Sequence, residues 1–203
     1  MVVRQIRVGG DNFSYLIHDR ETLEAALVDP GFDARGALGI VGDEGLDLKY
    51  VINTHHHGDH TAANKTVMKE TGAKLVASKK DGESLSEDVD ISVWDGDEIS
   101  LGCLSMKFMG APGHTPGGLC IIVEDEFLIT GDTLFIDDCG RCDLEGGSLS
   151  DMFDTLQRIK KLDDSLVVFP GHDYGPKPYD TLGNQKRRSG VLLAKDLEEF
   201  SKL

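Results

Sequence analysis

Short apolar runs recur along the whole chain, and many of them are closed by glycine, proline or an acidic residue. Runs of this length with such ends are typical of strands in a packed sheet. At Asp29-Pro30-Gly31, for example, proline cannot continue a hydrogen-bonded ladder and glycine permits a turn. The predicted strands are Val2–Val8, Phe13–His18, Ala25–Val28, Tyr50–Asn53, Leu75–Ala77, Glu98–Leu101, Leu104–Met109, Leu119–Val123, Phe127–Thr130 and Leu166–Phe169.

Segments with apolar residues three or four positions apart predict helices between these strands. In Asp151–Lys161 the apolar side chains share one face, and they are Met152, Phe153, Leu156 and Ile159. The other predicted helices are Ala34–Glu44, Thr61–Thr71 with Gly72 as its stop, and a tail that is helical from Val191. Strands in both halves, each followed by helices, predict an α/β sandwich in which helices cover two packed sheets.

Length and composition fit one globular domain and limit its partners. The chain has 203 residues, of which 39% are hydrophobic, so it can bury a full core. Its 21 basic and 36 acidic side chains give a formal net charge of −15. An acidic surface repels the phosphates of nucleic acids and anionic lipids. We therefore expect neither a nucleic-acid partner nor a membrane partner.

The N-terminal segment and the cysteines indicate a cytoplasmic protein with reduced thiols. The first ten residues lack the apolar run of a signal peptide, and no stretch approaches the length of a membrane span. Cys103 and Cys120 lie in apolar runs and are predicted to be core residues. Cys139 and Cys142 form a CxxC pair, for which a redox pair or half of a zinc site are alternatives to plain reduced thiols.

Six of the seven histidines fall in three places, and the seventh, His18, is interpreted as a surface or strand histidine. Four lie in Thr54-His55-His56-His57-Gly58-Asp59-His60, directly after a predicted strand. In an extended chain alternate side chains share a face, so His55 and His57 point one way and His56 the other. Imidazole and carboxylate together are typical ligands of zinc, iron and manganese. The cluster therefore predicts a transition-metal site.

Three further candidate ligands each follow a predicted strand, where a rigid scaffold can fix their positions. They are His114 in Gly113-His114-Thr115-Pro116-Gly117-Gly118, Asp132 in Thr130-Gly131-Asp132-Thr133, and His172 in Phe169-Pro170-Gly171-His172. Each of these alone could be a turn or capping residue. Together with the first cluster they add two imidazoles and one carboxylate to the predicted metal site.

The order of these motifs resembles that of the metallo-β-lactamase fold superfamily over nearly the whole chain. Five short segments carry the resemblance, namely Val28–Gly31, Thr54–His60, His114–Gly118, Thr130–Asp132 and Pro170–His172. The resemblance implies a four-layer αββα sandwich of two similar halves, with a dinuclear metal site along one edge. It implies a first metal held by His55, His57 and His114, and a second held by Asp59, His60 and His172. Asp132 would bridge the two metals, and Asp29 would steady the histidine loop from behind.

Such a site predicts metal-dependent hydrolysis. Two divalent ions, zinc or alternatively iron, would hold a hydroxide between them and polarise a carbonyl group. Asp59 is the candidate catalytic residue that orients the hydroxide and moves its proton. Because zinc and iron both accept imidazole and carboxylate, the motifs leave the metal open.

Within the superfamily the chain is most similar to the glyoxalase II-like group, through Thr54–His60, Thr130–Asp132 and Cys139–Arg141. This implies a thioesterase that acts on a small-molecule thioester. Classical members end in a helical domain that contacts glutathione, and only 31 residues follow His172 here. We therefore expect one metallo-β-lactamase-like domain over residues 1–203, without a C-terminal helical accessory domain, and the thiol carrier stays open.

The main alternative is a persulfide dioxygenase with a single iron. Gly140–Asp143 and Gly171–Tyr174 resemble that relative, and His55 or His57 with His114 and Asp132 would bind the iron. A lactonase, a β-lactamase and a non-catalytic metal-binding module are further alternatives. A structural site needs only four ligands, fewer than the chain offers, so an open catalytic site is favoured over the module.

Two residues outside the metal-binding set are candidates for substrate binding. Arg141 could pair with a substrate carboxylate, or it could form a surface ion pair with an acidic neighbour such as Asp137 or Asp138. Tyr174, two residues after His172, is the second candidate.

Overall fold

Two six-stranded sheets form the centre of the molecule, one from each half of the chain. The structure is a computed structural model and describes residues 1–203. The first sheet contains β1 (Val2–Arg7), β2 (Phe13–His18), β3 (Glu24–Val28), β4 (Asp47–Ile52), β5 (Lys74–Ser78) and β6 (Ile91–Val93). The second contains β7 (Glu98–Leu101), β8 (Leu104–Gly110), β9 (Leu119–Val123), β10 (Phe127–Gly131), β11 (Val167–Pro170) and β12 (Asp180–Thr181).

Both sheets are mixed, and their strands follow the chain order. The first sheet is ordered β1-β2-β3-β4-β5-β6, antiparallel up to β3 and parallel from β3 to β6. The second is ordered β12-β11-β10-β9-β8-β7, antiparallel except for the parallel pair β10 and β11. The strands β8, β10 and β11 therefore run in one direction, and their carboxyl ends meet at one edge of the sheet.

Alternation along the strands explains why the sheets stack and why helices cover their outer faces. On β2, Phe13, Tyr15 and Ile17 pack between the sheets with Phe108 and Ile121 of the second sheet. Leu16 points the opposite way and packs with Ala37 and Val67 on the outer face of the first sheet. A fully buried side chain of this size contributes about 1.5–3 kcal/mol relative to an exposed one.

The helices form the two outer layers. Against the first sheet lie α1 (Arg35–Asp43) and α3 (Asn64–Thr71), and the one-turn helices α2 (Gly58–Thr61) and α4 (Lys79–Gly82) follow β4 and β5. Against the second lie α5 (Leu149–Ile159), α6 (Leu182–Arg188), α7 (Gly190–Leu193) and α8 (Leu197–Phe200). The predicted αββα sandwich is confirmed. None of these helices combines the length and the apolar character that crossing a membrane requires.

The predicted helix Thr61–Thr71 is wrong only at its start, because the structure has a break between α2, which ends at Thr61, and α3, which begins at Asn64. In one continuous helix the Ala63 N–H would bind the Asp59 carbonyl. Instead Ala63 donates to the carbonyl of Gly31 at 2.9 Å, and the Asp59 carbonyl accepts from Asn12 Nδ2 at 3.3 Å. The chain thus exchanges one helical hydrogen bond for two contacts with neighbouring loops.

The tail differs from the prediction in the same manner. Its first helix, α6, begins at Leu182, because Thr181 caps it by accepting a hydrogen bond from the Asn184 N–H. Two one-turn helices then follow in place of one helix from Val191. The pattern also missed β6, β12 and α4, which are two to four residues long and show no periodicity.

The burial of single residues tests three predictions. Cys103 is exposed beside Gly102 in the turn between β7 and β8, so its predicted core position is wrong. Its backbone N–H donates to Asp19, and the turn keeps its thiol outside the sheet. Cys120 is buried as predicted. His18 is in β2, in agreement with the strand interpretation, and it is buried rather than on the surface.

Tyr15 links the first sheet to the last residue of β11. Its hydroxyl donates to the Pro170 carbonyl at 2.5 Å and accepts from Gln5 Nε2 at 2.9 Å. We expect Tyr15→Phe to lower the free energy of unfolding by about 1–3 kcal/mol, because the buried carbonyl loses its partner. Chemical denaturation measures this loss. Tyr50→Phe is the control, since its hydroxyl makes no hydrogen bond, and equal losses in both variants would contradict this role of the Tyr15 hydroxyl.

Candidate metal centre

The histidine loop that follows β4 is held in place by one buried carboxylate, Asp29, at the end of β3. Asp29 Oδ1 accepts from the Thr54 N–H at 2.8 Å, and Oδ2 accepts from the Thr54 hydroxyl at 2.6 Å. The same Oδ2 lies 3.0 Å from His60 Nδ1. Asp29 therefore fixes both the start and the end of the histidine cluster. Asp29 is also the residue that the family resemblance implied as the support of the histidine loop.

In four histidines the Nδ1 atom lies within hydrogen-bonding distance of an oxygen acceptor. This contact indicates which ring nitrogen carries the proton in the neutral form. His60 Nδ1 faces Asp29, and His172 Nδ1 lies 3.1 Å from Asp11 Oδ1. His114 Nδ1 lies 2.7 Å from the Arg141 carbonyl. His55 Nδ1 lies 3.1 Å from Thr54 Oγ1, whose own proton is given to Asp29. Each neutral ring thus carries its proton on Nδ1 and presents a lone pair at Nε2.

His55, His57 and His114 form the first group of ligand atoms. Their candidate ligand atoms lie within 4.8 Å of one another. His57 differs from the others, because its Nδ1 atom faces His114 Nε2 at 2.9 Å. His55 and His114 are buried, whereas His57 is half-buried. The group is therefore a three-nitrogen pocket with its opening on the side of His57.

Asp59, His60 and His172 form the second group, again within 4.8 Å. Asp59 Oδ2 lies 3.6 Å from His60 Nε2 and 3.4 Å from His172 Nε2. Asn12 Nδ2 donates to the same oxygen at 3.0 Å. Together with Asp11 on His172, the turn between β1 and β2 therefore contacts two of the three members of this group.

Asp132, at the end of β10, lies between the two groups. Its Oδ2 atom is 3.5 Å from His114 Nε2 and 3.3 Å from His172 Nε2, and its Oδ1 atom is 3.3 Å from His60 Nε2. Gly131 permits this approach, because it has φ +49° and a side chain there would collide with Thr54. The structure thus brings together every ligand that the sequence predicted, and His56 lies apart, 3.0 Å from Asp81.

The donor set fits bound cations. His55 Nε2 and Asp132 Oδ1 are buried, and neither makes a hydrogen bond. His60 Nε2 and His172 Nε2 are 3.3 Å apart although both Nδ1 atoms already carry a proton. Facing lone pairs repel one another unless a proton or a metal ion lies between them. Buried groups of this kind are satisfied when imidazole nitrogens and carboxylate oxygens bind a metal.

Charge is distributed unevenly over the site. Burial holds the pKa of His55 well below its usual value and also lowers the pKa of His57. Burial acts in the same direction on His172, but hydrogen bonds to Asp132 and Asp59 outweigh it and raise that pKa to about 10. His55 and His57 therefore stay neutral, as a metal ligand must, and the carboxylate side attracts positive charge.

The two predicted substrate residues have different surroundings. Tyr174 is 57% exposed, and its ring stacks on His172 with the centroids 4.7 Å apart. Arg141 is exposed and forms two hydrogen bonds with Asp143, at 2.6 and 2.8 Å. An acidic neighbour thus pairs with Arg141, and it is Asp143 rather than Asp137 or Asp138. Asp137 instead pairs with Arg188, and Asp138 accepts from the Cys139 N–H.

Cys139 and Cys142 are free, half-buried thiols that pack against the core beside α5. Burial raises the pKa of Cys139 to about 12 and that of Cys142 to about 11. Thiols of this kind are protonated and unreactive at neutral pH. They agree with the interpretation as plain reduced thiols.

Sequence reasoning missed four contributors to the site. Asp11 and Asn12 contact His172 and Asp59, Asp81 contacts the histidine loop, and the main-chain carbonyl of Arg141 orients His114. Aspartate and asparagine are also the commonest turn residues, so Asp11 and Asn12 gave no separate signal. A backbone carbonyl gives none at all, because every residue has one.

Comparison with known proteins identifies one family and several relatives that match most of the chain. The family model described as the metallo-beta-lactamase superfamily matches residues 7–172. A hydroxyacylglutathione hydrolase of Pelagibacter ubique is 36% identical over 175 residues, which cover 86% of this chain and 72% of that protein. The mitochondrial persulfide dioxygenase ETHE1 of Homo sapiens is 32% identical over 195 residues, or 94% of this chain and 75% of that protein.

A solved structure agrees with this comparison. The crystal structure of ETHE1 from Myxococcus xanthus superposes with a TM-score of 0.89 and 32% identity, covering 98% of this chain and 88% of that chain. Four further hydroxyacylglutathione hydrolases are 35–37% identical, and the chain spans 66–67% of their length.

Proposed function

Because the chain belongs to the metallo-β-lactamase superfamily, we propose that it is a metal-dependent thioesterase that hydrolyses the thioester of a small acyl-thiol. The observation that carries this proposal is the pair of ligand groups joined by Asp132, with buried donor atoms that have no partner in the chain. A closed structural site needs four ligands, and more than four converge here. Relatives named hydroxyacylglutathione hydrolase support the same reaction class.

We assign His55, His57 and His114 to one cation, Asp59, His60 and His172 to a second, and Asp132 to both. When bound, two zinc ions would lower the pKa of a water molecule towards 7 and polarise the carbonyl group of the substrate. The chain's own contribution is to orient four of the imidazole rings so that each presents its Nε2 atom to a cation. Asp29, Asp11, Thr54 and the Arg141 carbonyl do this through the four Nδ1 contacts.

Asp59 is the proposed proton carrier. Its side chain is half-buried at the open side of the site, and Asn12 fixes its Oδ2 atom. A carboxylate in this position can accept the proton of the attacking water and pass it to the departing thiolate. Because the side chain is already oriented, the reaction does not require it to move.

Tyr174 and Arg141 are the proposed substrate contacts. The exposed ring of Tyr174 extends the surface beside His172 and offers an apolar face to the thiol part of a substrate. Arg141 is already paired with Asp143, so a substrate carboxylate would have to compete with that partner. Tyr174→Ala should therefore raise KM more than Arg141→Ala does.

Metal analysis together with two assays tests the proposed reaction. We expect about two zinc ions per chain, as required by two ligand groups, and hydrolysis of a hydroxyacylglutathione or an acyl-CoA. Zinc-loaded protein that hydrolyses neither thioester would contradict the proposal.

Persulfide dioxygenation is the second candidate. It is favoured by the longer match to the relatives of that name, which covers 94% of this chain against 86% for the hydrolase. It predicts one iron per chain, bound by two histidines and Asp132, and oxygen uptake with a persulfide substrate. Iron content and an oxygen electrode separate the two reactions.

Asn12→Ala is expected to weaken the second cation site selectively. The change removes the donor to Asp59 Oδ2 and leaves the Asp59 carbonyl without its partner. Loss of an outer contact to a ligand typically lowers metal affinity about 10- to 100-fold. Competition with a chromophoric chelator measures the affinity. Asn184→Ala is the control, because it removes an amide hydrogen bond to Asp180, which is not a candidate ligand. This variant should bind both ions with the wild-type affinity.

A further inference from the structure

Asp81 is a buried carboxylate outside both ligand groups. It lies in the one-turn helix α4, after β5, and only 3% of it is exposed. Ser78 caps this helix by accepting a hydrogen bond from the Asp81 N–H at 3.2 Å. The carboxylate is thus anchored at its own backbone and points away from α4 towards the site loops.

Both oxygens of Asp81 are occupied by donors from the two loops that carry the three histidines of the first group. Oδ2 accepts from the backbone N–H of His56 at 3.1 Å and from the Thr115 hydroxyl at 2.7 Å. Oδ1 accepts from the Gly117 N–H at 2.6 Å. His56 lies between His55 and His57, and Thr115 follows His114, so these contacts are adjacent to all three ligands.

We propose that Asp81 is a positioning residue that sets the distance between the His55–His57 loop and the His114 loop, and thereby the affinity of the first cation site. This rests on the metal site of the proposed function. An ionised carboxylate accepts on both oxygens, and here three hydrogen-bond donors from two loops converge on one group. The ring nitrogen Nδ1 of His56 also lies 3.0 Å from Oδ2. The loops belong to different sheets, since one follows β4 and the other follows β8.

The shape of the loop around Gly117 supports this role. A side chain at Gly117 would place its Cβ 2.5 Å from the Asp81 backbone nitrogen and would also collide with the carboxylate. Glycine therefore permits a close approach of the His114 loop to α4. Its backbone is not in the left-handed region, so alanine is excluded by contact and not by conformation.

The second ligand group has a different support. Asp11 and Asn12, in the turn between β1 and β2, contact His172 and Asp59. None of the Asp81 hydrogen bonds reaches these residues. The two groups thus share Asp132 but have separate supports, and this difference gives the test its selectivity.

The experiment is a zinc titration of the full chain in competition with a chromophoric chelator, for the wild type and Asp81→Asn. The asparagine keeps the size but has one oxygen, so it cannot serve both the Gly117 N–H and the His56–Thr115 pair. We expect the first-site affinity to fall about 10- to 100-fold. The second-site affinity should fall clearly less, because the second group shares only Asp132 with the first. His114→Ala and His172→Ala identify which binding step belongs to which site.

Two further variants separate positioning from general destabilisation. Thr115→Val removes one of the three donors and should produce a smaller change in the same direction. Asp90→Asn is the matched control, since that carboxylate accepts the Leu75 N–H at 2.8 Å and contacts neither histidine loop. Thermal unfolding of the metal-free variants measures the stability that Asp81→Asn loses with its buried hydrogen bonds, and such a general loss would not single out the first cation site.

Unchanged first-site affinity in Asp81→Asn would overturn the proposal, as would equal losses at both sites. A wild-type chain that binds zinc but hydrolyses no thioester would contradict the proposed reaction. The zinc titration of Asp81→Asn would still test the role of Asp81. A wild-type chain that binds no zinc would overturn both.

Discussion

Asp132→Asn is expected to lose nearly all hydrolytic activity while the chain stays folded. The substitution keeps the shape but removes the negative charge that lies within 3.5 Å of His60, His114 and His172. Loss of an outer contact to a metal ligand already lowers metal affinity or activity about 10- to 100-fold. Because Asp132 lies against members of both groups, we expect kcat/KM to fall by at least about 100-fold.

Metal analysis and thioester hydrolysis should be measured on the same preparation of Asp132→Asn. We expect less than the wild-type content of metal, since the carboxylate lies between both ligand groups. Asp138→Asn is the matched control, because that carboxylate only accepts the neighbouring Cys139 N–H. Turnover at the wild-type rate in Asp132→Asn would eliminate Asp132 as a shared ligand.

Asp59→Asn should produce the second-largest loss of hydrolytic activity, and this loss should appear as a lower kcat. An amide cannot accept the proton of the attacking water, and general base catalysis contributes about 10²- to 10⁴-fold. The substrate contacts proposed at Tyr174 are unaffected, so KM should change little.

The result for Asp59→Asn is read from steady-state kinetics at saturating metal. Saturation restores a weakened second site, so that the remaining loss reports on proton transfer. Asp33→Asn, which only breaks an exposed pair with Arg35, is the control. A loss that disappears when metal is added would assign Asp59 to metal binding alone.

The candidate ligands could be predicted because their chemistry is visible at short range. Imidazoles crowded directly after β4 indicate metal binding by themselves, and His114, Asp132 and His172 each follow an apolar strand. The supporting residues could not be found in this way. Asp11 is 161 positions from His172, and Asp81 is 34 positions from Thr115. Only the fold brings these partners together.

The same distinction applies to the secondary structure. Strands were recognised because the alternation on β2, for example, reflects its two buried faces. The break between α2 and α3 depends on Gly31 and Asn12, which lie outside the helix and compete for its hydrogen bonds. The exposure of Cys103 depends on the turn geometry, which the apolar run around it concealed.

The position of the site between two separately built halves links metal binding to folding. Four of the candidate ligands come from the half that ends at β6 and three from the half that begins at β7. A cation held by both halves acts as a crosslink that the unfolded chain cannot form. At a free concentration of 100 times its Kd, such a ligand adds about 2.7 kcal/mol to the free energy of unfolding. Chelation should therefore lower the free energy of unfolding by a similar amount, and a thermal shift between the metal-loaded and metal-free chain would measure it.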